Sequence, residues 1–143
     1  MLQGQKATRT MLTRAALAAM LAAAALPATP AFAGGMFGLN LSPRTAEEAQ
    51  MMDFGLRAYG LYKGLRGGGA RIDQRGHGNS AGVAQDGSGT IGVIDQRGDG
   101  HSATLDQAGD GNSYGIFQFG RGSAADIVQR GNGRTGATFT FGW

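Results

Sequence analysis

Along the second half of the chain, every other residue is small or apolar, and each such run closes on a side chain that can bond along a stack. The alternating positions read Asn79, Ala81, Val83, Gln85, then Thr90, Gly92, Ile94, Gln96, then His101, Ala103, Leu105, Gln107. They continue as Asn112, Tyr114, Ile116, Gln118, then Ser123, Ala125, Ile127, Gln129, and end with Arg134, Gly136, Thr138, Thr140. A period of two places these residues on one face of a strand. The residues between them, such as Ser80, Ser102, Thr104, Asp106, Ser113 and Asp126, are largely small or polar and predict a solvated opposite face. The inward face is too narrow and too small in side-chain volume for a wide globular core. It suits two strands packed closely face to face.

Between the runs the punctuation is regular. Glutamine recurs every 11 residues at Gln74, Gln85, Gln96, Gln107, Gln118 and Gln129. Each opens the phrase Gln-x-Gly-x-Gly, with glycines at Gly76 and Gly78, Gly87 and Gly89, Gly98 and Gly100, Gly109 and Gly111, Gly120 and Gly122, and Gly131 and Gly133. Such glycines supply the left-handed backbone of a tight reversal. A fixed period marks an array in which each unit buries its face only against its neighbours. One 11-residue unit is a strand and a turn, and two units close a 22-residue coil. The expected fold is an all-β, two-sheet β-solenoid of about three coils over residues 71–143, with coils ~4.8 Å apart. Stacking at 22 residues puts Ala81, Ala103 and Ala125 in one column and Val83, Leu105 and Ile127 in the next. It also places Tyr114 between Gly92 and Gly136, which predicts local volume compensation.

The first half reads differently. Residues 1–33 carry Lys6, Arg9 and Arg14 without an acid, then an apolar run from Ala15 to Leu26, then Ala31-Phe32-Ala33. That tripartite order is expected of a secretory signal peptide cut after Ala33, because the apolar run falls short of the ~20 residues a spanning helix needs. Residues 34–70 form a leader or docking segment. Gly34 to Leu41 reads as a flexible start and 44–62 as one marginal amphipathic helix, opened by Ser42-Pro43 and by Thr45-x-x-Glu48. Gly55, Gly60 and Gly64 weaken that helix, and Gly67-Gly68-Gly69 reads as a linker.

The net charge of +3 resides in residues 1–33, the expected signal peptide. Beyond Ala33, ten basic residues meet ten acids, so the basic balance carries no case for a nucleic-acid partner. Low net charge favours self-association. With no cysteine, an exported chain of this size has no disulfide to hold it.

Candidate chemistry is sparse. His77 and His101 stand far apart with no further donors for a metal. Gly98-Asp99-Gly100 and Gly109-Asp110-Gly111 resemble calcium turns, but the equivalent places hold His77, Ser88, Arg121 and Asn132. No catalytic constellation is present, and neither metal nor cofactor is expected. The six glutamines are the expected working residues, because stacked side-chain amides donate to and accept from one another along an axis. Asp95, Asp106 and Asp126 read as outward charges that slow stacking. Arg134 reads as an inward charge that loosens the final coil.

The stretch Gln74 to Gln85, Gln-x-Gly-x-Gly-Asn-x-Ala-x-x-x-Gln, resembles the curlin repeat of curli amyloid fibres. The resemblance implies a structural subunit, not an enzyme. It implies export through an outer-membrane secretion channel with accessory factors, and polymerisation with itself or other curlin-type subunits into extracellular adhesive, biofilm-supporting fibres. The leader before the repeats would then engage the export machinery. The sequence departs from the pattern where Thr90, His101, Ser123 and Arg134 replace Asn, and where Thr140 replaces Gln. The C-terminal coil is expected to be uncovered, as a growing filament end requires. A fibre nucleator, a monomeric surface- or ice-binding solenoid and a small outer-membrane barrel are the alternatives.

Overall fold

The computed structural model describes residues 34–143; the expected signal peptide at 1–33 lies outside the described residues. Strand β1 (Met36–Leu41) is followed by helix α1 (Ala46–Tyr62) and by β2 (Gly69–Arg75), β3 (Ser80–Asp86), β4 (Ile91–Asp99) and β5 (Ser102–Ala108). β6 (Ser113–Arg121), β7 (Ala124–Arg130) and β8 (Thr135–Gly142) complete the chain. Even-numbered strands and β1 make a five-stranded sheet in the order β1-β8-β6-β4-β2, and β3-β5-β7 make a three-stranded sheet. The protein is a β-solenoid of stacked 22-residue coils. From β2 to β8 all pairing is parallel and offset by 22 residues, as in Gln74 with Gln96 and Gln85 with Gln107. Two separate parallel sheets exclude the closed antiparallel barrel.

The solenoid begins at Gly69, two residues before the expected boundary at 71, with a strand that precedes the first glutamine phrase. Gly69 is the first residue of β2, and its N–H donates to the Thr90 carbonyl at 2.8 Å. Ala70, Ile72 and Gln74 register with Gly92, Ile94 and Gln96. The glycines before them hid the alternation. The repeat therefore forms seven parallel strands.

Ile94, Ala103, Leu105, Tyr114 and Ile116 are buried between the sheets, flanked by Ala81, Val83, Ala125 and Ile127. Tyr114 does lie between Gly92 and Gly136, but it fills only one vacancy. A Cβ at Gly136 would meet the Tyr114 ring, whereas one at Gly92 would meet Leu105 and the Gln107 amide, each at 3.0 Å.

Helix α1 packs on the outer face of the larger sheet, over β4, β6 and β8. Thr45 caps it, its Oγ1 accepting from the Glu48 N–H at 3.2 Å. The opening therefore rests on the Thr45 side-chain cap, with Glu48 Oε2 accepting from the Arg44 N–H at 2.8 Å, rather than on Ser42-Pro43. Gly64, at φ +95°, ends the helix: its N–H donates to the Leu61 carbonyl and that of Leu65 to the Gly60 carbonyl, a Schellman motif. Gly115 lets the helix approach, since a Cβ there would lie 2.8 Å from Leu56 Cδ2. Leu56 is accordingly buried.

Residues 36–41, expected to be flexible, form β1. It pairs antiparallel with β8 from Met36–Gly142 to Leu41–Ala137. The signal was present in the alternation Phe37-x-Leu39-x-Leu41. The C-terminal edge of the larger sheet is therefore covered, contrary to the expectation of a bare end. The final coil is not the loose one either. Gly136, Ala137, Thr138 and Thr140 in β8 are buried, while β2 and β3 at the other end hold no buried residue. Arg134 is exposed in the turn, so its charge stays in water.

Amide ladders and the two ends of the solenoid

The glutamines end the inward face of their strands, so the 22-residue offset sets them one above another. In the larger sheet, Gln74 Nε2 donates to Gln96 Oε1 and Gln96 Nε2 to Gln118 Oε1, both at 2.7 Å. In the smaller, Gln85 donates to Gln107 at 2.9 Å and Gln107 to Gln129 at 2.8 Å. The second amide hydrogen reaches across to the other sheet's strand: Gln96 to the Ser80 carbonyl (2.9 Å), Gln118 to that of Ser102 (3.0 Å) and Gln107 to that of Ile91 (3.3 Å). Each central glutamine thus joins coil to coil and sheet to sheet. Gln96, Gln107 and Gln118 are completely buried, and no buried side-chain polar atom among the described residues lacks a partner.

The turns carry a second ladder that was not anticipated. Asp99 Oδ1 accepts from the His77 N–H (2.8 Å), Asp110 Oδ1 from the Ser88 N–H (2.7 Å), and Asn132 Oδ1 from the Asp110 N–H (2.8 Å). The acids that resemble calcium ligands are occupied by backbone of the preceding coil. Asn79 donates to the Gly98 carbonyl (2.8 Å) and accepts from the His101 N–H (3.0 Å); Asn112 does the same with Gly131 (2.7 Å) and Arg134 (2.9 Å). His101 stands where an Asn would, and its Nδ1 meets Ser123 Oγ at 2.7 Å. No cluster of metal-ligating side chains occurs among the described residues.

Two of the three aspartates read as gatekeepers are exposed on β5 and β7. Asp106 lies 3.9 Å from Arg130, and Asp126 accepts from Thr104. Asp95 is different: its side chain is only 3% exposed, because α1 covers it. Tyr59 Oη donates to it at 2.7 Å, Arg97 Nε at 3.1 Å, and Lys63 Nζ lies 3.7 Å away. Burial raises its pKa, but the bonds from Arg97 and Tyr59 and the charges of Arg97 and Lys63 outweigh that and hold it below the usual carboxylate value. A depressed carboxylate pKa stabilises the fold above the unfolded-state value, and that contribution is lost as pH falls through the folded one. Docking of α1 is therefore expected to weaken below about pH 4. Asp95→Asn should flatten this acid limb in urea-midpoint measurements against pH; an unchanged limb would remove Asp95 from the account.

The ends of the solenoid differ. At the β2/β3 end both edges are bare, and among the described residues nothing donates to Gln74 Oε1 or Gln85 Oε1. At the other end Gln129 accepts from Gln107, but no described residue accepts from its Nε2. In the larger sheet the ladder stops at Thr140, whose Oγ1 meets Ser123 Oγ at 3.0 Å. Because β8 and β1 extend past β7, a notch of about 570 Å³ opens beside β7, lined by Asn40, Tyr114, Ile127 and Gln129 among others.

Residues 92–120, from β4 through β6, match the family model described as the curlin associated repeat. No curated protein matches the chain. The matched stretch holds the best-buried glutamines and turns, and the coils on either side repeat its hydrogen bonds column by column. Residues 92–120, the middle of the solenoid, are thus similar to the curlin associated repeat.

Proposed function

We propose that the chain is a secreted, curli-type structural subunit whose solenoids join end to end into an extracellular fibre for adhesion and biofilm matrix. The observation that carries this reading is the polarity of the amide ladders. One end offers amide carbonyls at Gln74 and Gln85, and the other offers an amide N–H at Gln129. Ends of opposite hydrogen-bonding sense on one subunit form a heterologous contact that does not close on itself, and such contacts propagate as filaments. Bare parallel edges at β2 and β3 point the same way. The basic, apolar, small-residue order of 1–33 supports export, and the resemblance to curlins supports an outer-membrane channel as the route.

A capped monomer is the competing reading, favoured by β1 on β8. Fibre diffraction on residues 33–143, a compact unit of their own, separates the two. Reflections at ~4.8 Å along the fibre and ~10 Å across it are expected. A concentrated sample that stays monomeric indefinitely would leave the capped solenoid as the answer.

A further inference from the structure

The larger sheet ends on a strand foreign to the repeat. β1 is the one antiparallel neighbour among the described strands, and all six of its residues are exposed. Besides its ladder on β8, it is held by reciprocal backbone bonds between Gly35 and Trp143, each 3.0 Å, and by the Tyr114 hydroxyl donating to Asn40 Oδ1 at 3.3 Å. A strand retained mostly by backbone hydrogen bonds exchanges more readily than one whose side chains are buried. Its link to α1 is the short segment from Ser42 to Thr45, and α1 keeps its own anchors through Leu56 and Arg57. Release of β1 leaves those anchors in place.

The edge that β1 covers is shaped for a different strand. Placed one coil beyond β8, β2 of a second copy continues the columns of the larger sheet. Ala70, Ile72 and Gln74 follow Gly136, Thr138 and Thr140 on the inward face, and Asp73 and Arg75 follow Phe139 and Phe141 on the outward one. The last column within one chain runs Arg75, Arg97, Phe119, Phe141. Its internal step from arginine to aromatic already has Arg97 over the Phe119 ring at 6.0 Å, with Phe119 stacked on Phe141 at 5.2 Å. Arg75 of a second copy would lie against Phe141 from the other side of the column, within reach of a cation–π contact in the reverse order.

We infer that the β8 edge is the docking surface for β2 of a second copy of this chain, and that β1 is a latch reserving it until displaced. This rests on the end-to-end reading above. The larger sheet has four parallel strands to the smaller sheet's three, so the junction forms through the larger sheet and leaves the notch beside β7.

The test locks the latch. Gly38 and Thr140 are paired partners, and a Cβ at Gly38 would lie 3.9 Å from Thr140 Cγ2. Gly38→Cys with Thr140→Cys is therefore within disulfide reach in a chain that has no other cysteine. Residues 33–143 carrying both changes should form no fibres while oxidised and should begin on reduction, followed by amyloid-dye fluorescence and electron microscopy. A second variant lacking residues 34–41 should polymerise with a shorter lag than the unaltered protein. If the oxidised, intramolecularly bridged protein polymerises as fast as its reduced form, the latch is wrong and the end-to-end reading survives. If neither the reduced protein nor the deletion variant ever polymerises, the end-to-end reading falls and takes the latch with it.

Discussion

Gly98→Ala is expected to cost about 3–5 kcal/mol, among the largest effects of any single methyl group in this protein. Gly98 has φ +121°, and a Cβ built there would overlap the Gly120 carbonyl oxygen of the next coil. The obstruction is backbone on a neighbouring strand, so relief requires the coils to part. Its turn partner provides the contrast. Gly100 has φ +70°, and its nearest neighbour to a new Cβ is Gly122 backbone at 3.9 Å, ordinary contact. Gly100→Ala should cost only the left-handed penalty, about 1–2 kcal/mol. The glycines of each turn thus serve different purposes, one for close stacking and one for the reversal. Denaturant midpoints of the two variants would show it. Equal losses would mean that the coils slide enough to relieve the overlap.

Replacing a central glutamine by a shape-matched apolar residue is the second large effect. Gln118→Leu keeps the volume but removes one acceptor and two donor contacts. It leaves Gln96 Nε2 without its Oε1 partner and the Ser102 carbonyl without the side-chain donor at 3.0 Å, and it removes one of the two donors to the Ser123 carbonyl, which keeps the Ser102 N–H. Stranding a buried polar group costs ~1–3 kcal/mol, and partial relaxation brings the total to about 3–5 kcal/mol. Gln74→Leu, at the exposed start of the same ladder, should cost under about 1 kcal/mol, because water replaces what is lost. Urea unfolding of both checks the gradient. Comparable losses at the two positions would show that the amides contribute by packing rather than by bonding.

Much of the solenoid was legible because its determinants are local and repeated. A strand's two-residue period, the glycine pair and the 11-residue spacing of glutamines fix which side chains face inward and which columns they share. The positions of Ile94, Leu105 and Ile116 in the core followed from the alternation alone. The turn aspartates were harder to assign. Gly-Asp-Gly is compatible with a cation or with a backbone partner, and only the stacked coil below supplies the His77 and Ser88 N–H groups that decide it.

Asp95 was misread for a related reason. In the strand pattern it is an outward residue like Asp106 and Asp126, and outward ordinarily means solvated. Its burial comes from a helix that begins about a third of the chain away in sequence and packs over β4. Gly64 likewise looks like a weak helix residue until its positive φ and the bonds from residues 64 and 65 show it to be the terminator.

By itself, the sequence determined the repeat, the inward face, the turn positions and the glutamine columns, because strand geometry converts a period directly into a face and a stack. Only the tertiary structure decided which edges are bare and which are covered. A strand edge is blunted by whatever segment reaches it, and here that segment is 36–41, about a hundred residues from its partner in β8. No periodicity encodes such a pairing; it depends on where α1 lies and on the hydrogen bonds that β8 would otherwise leave open.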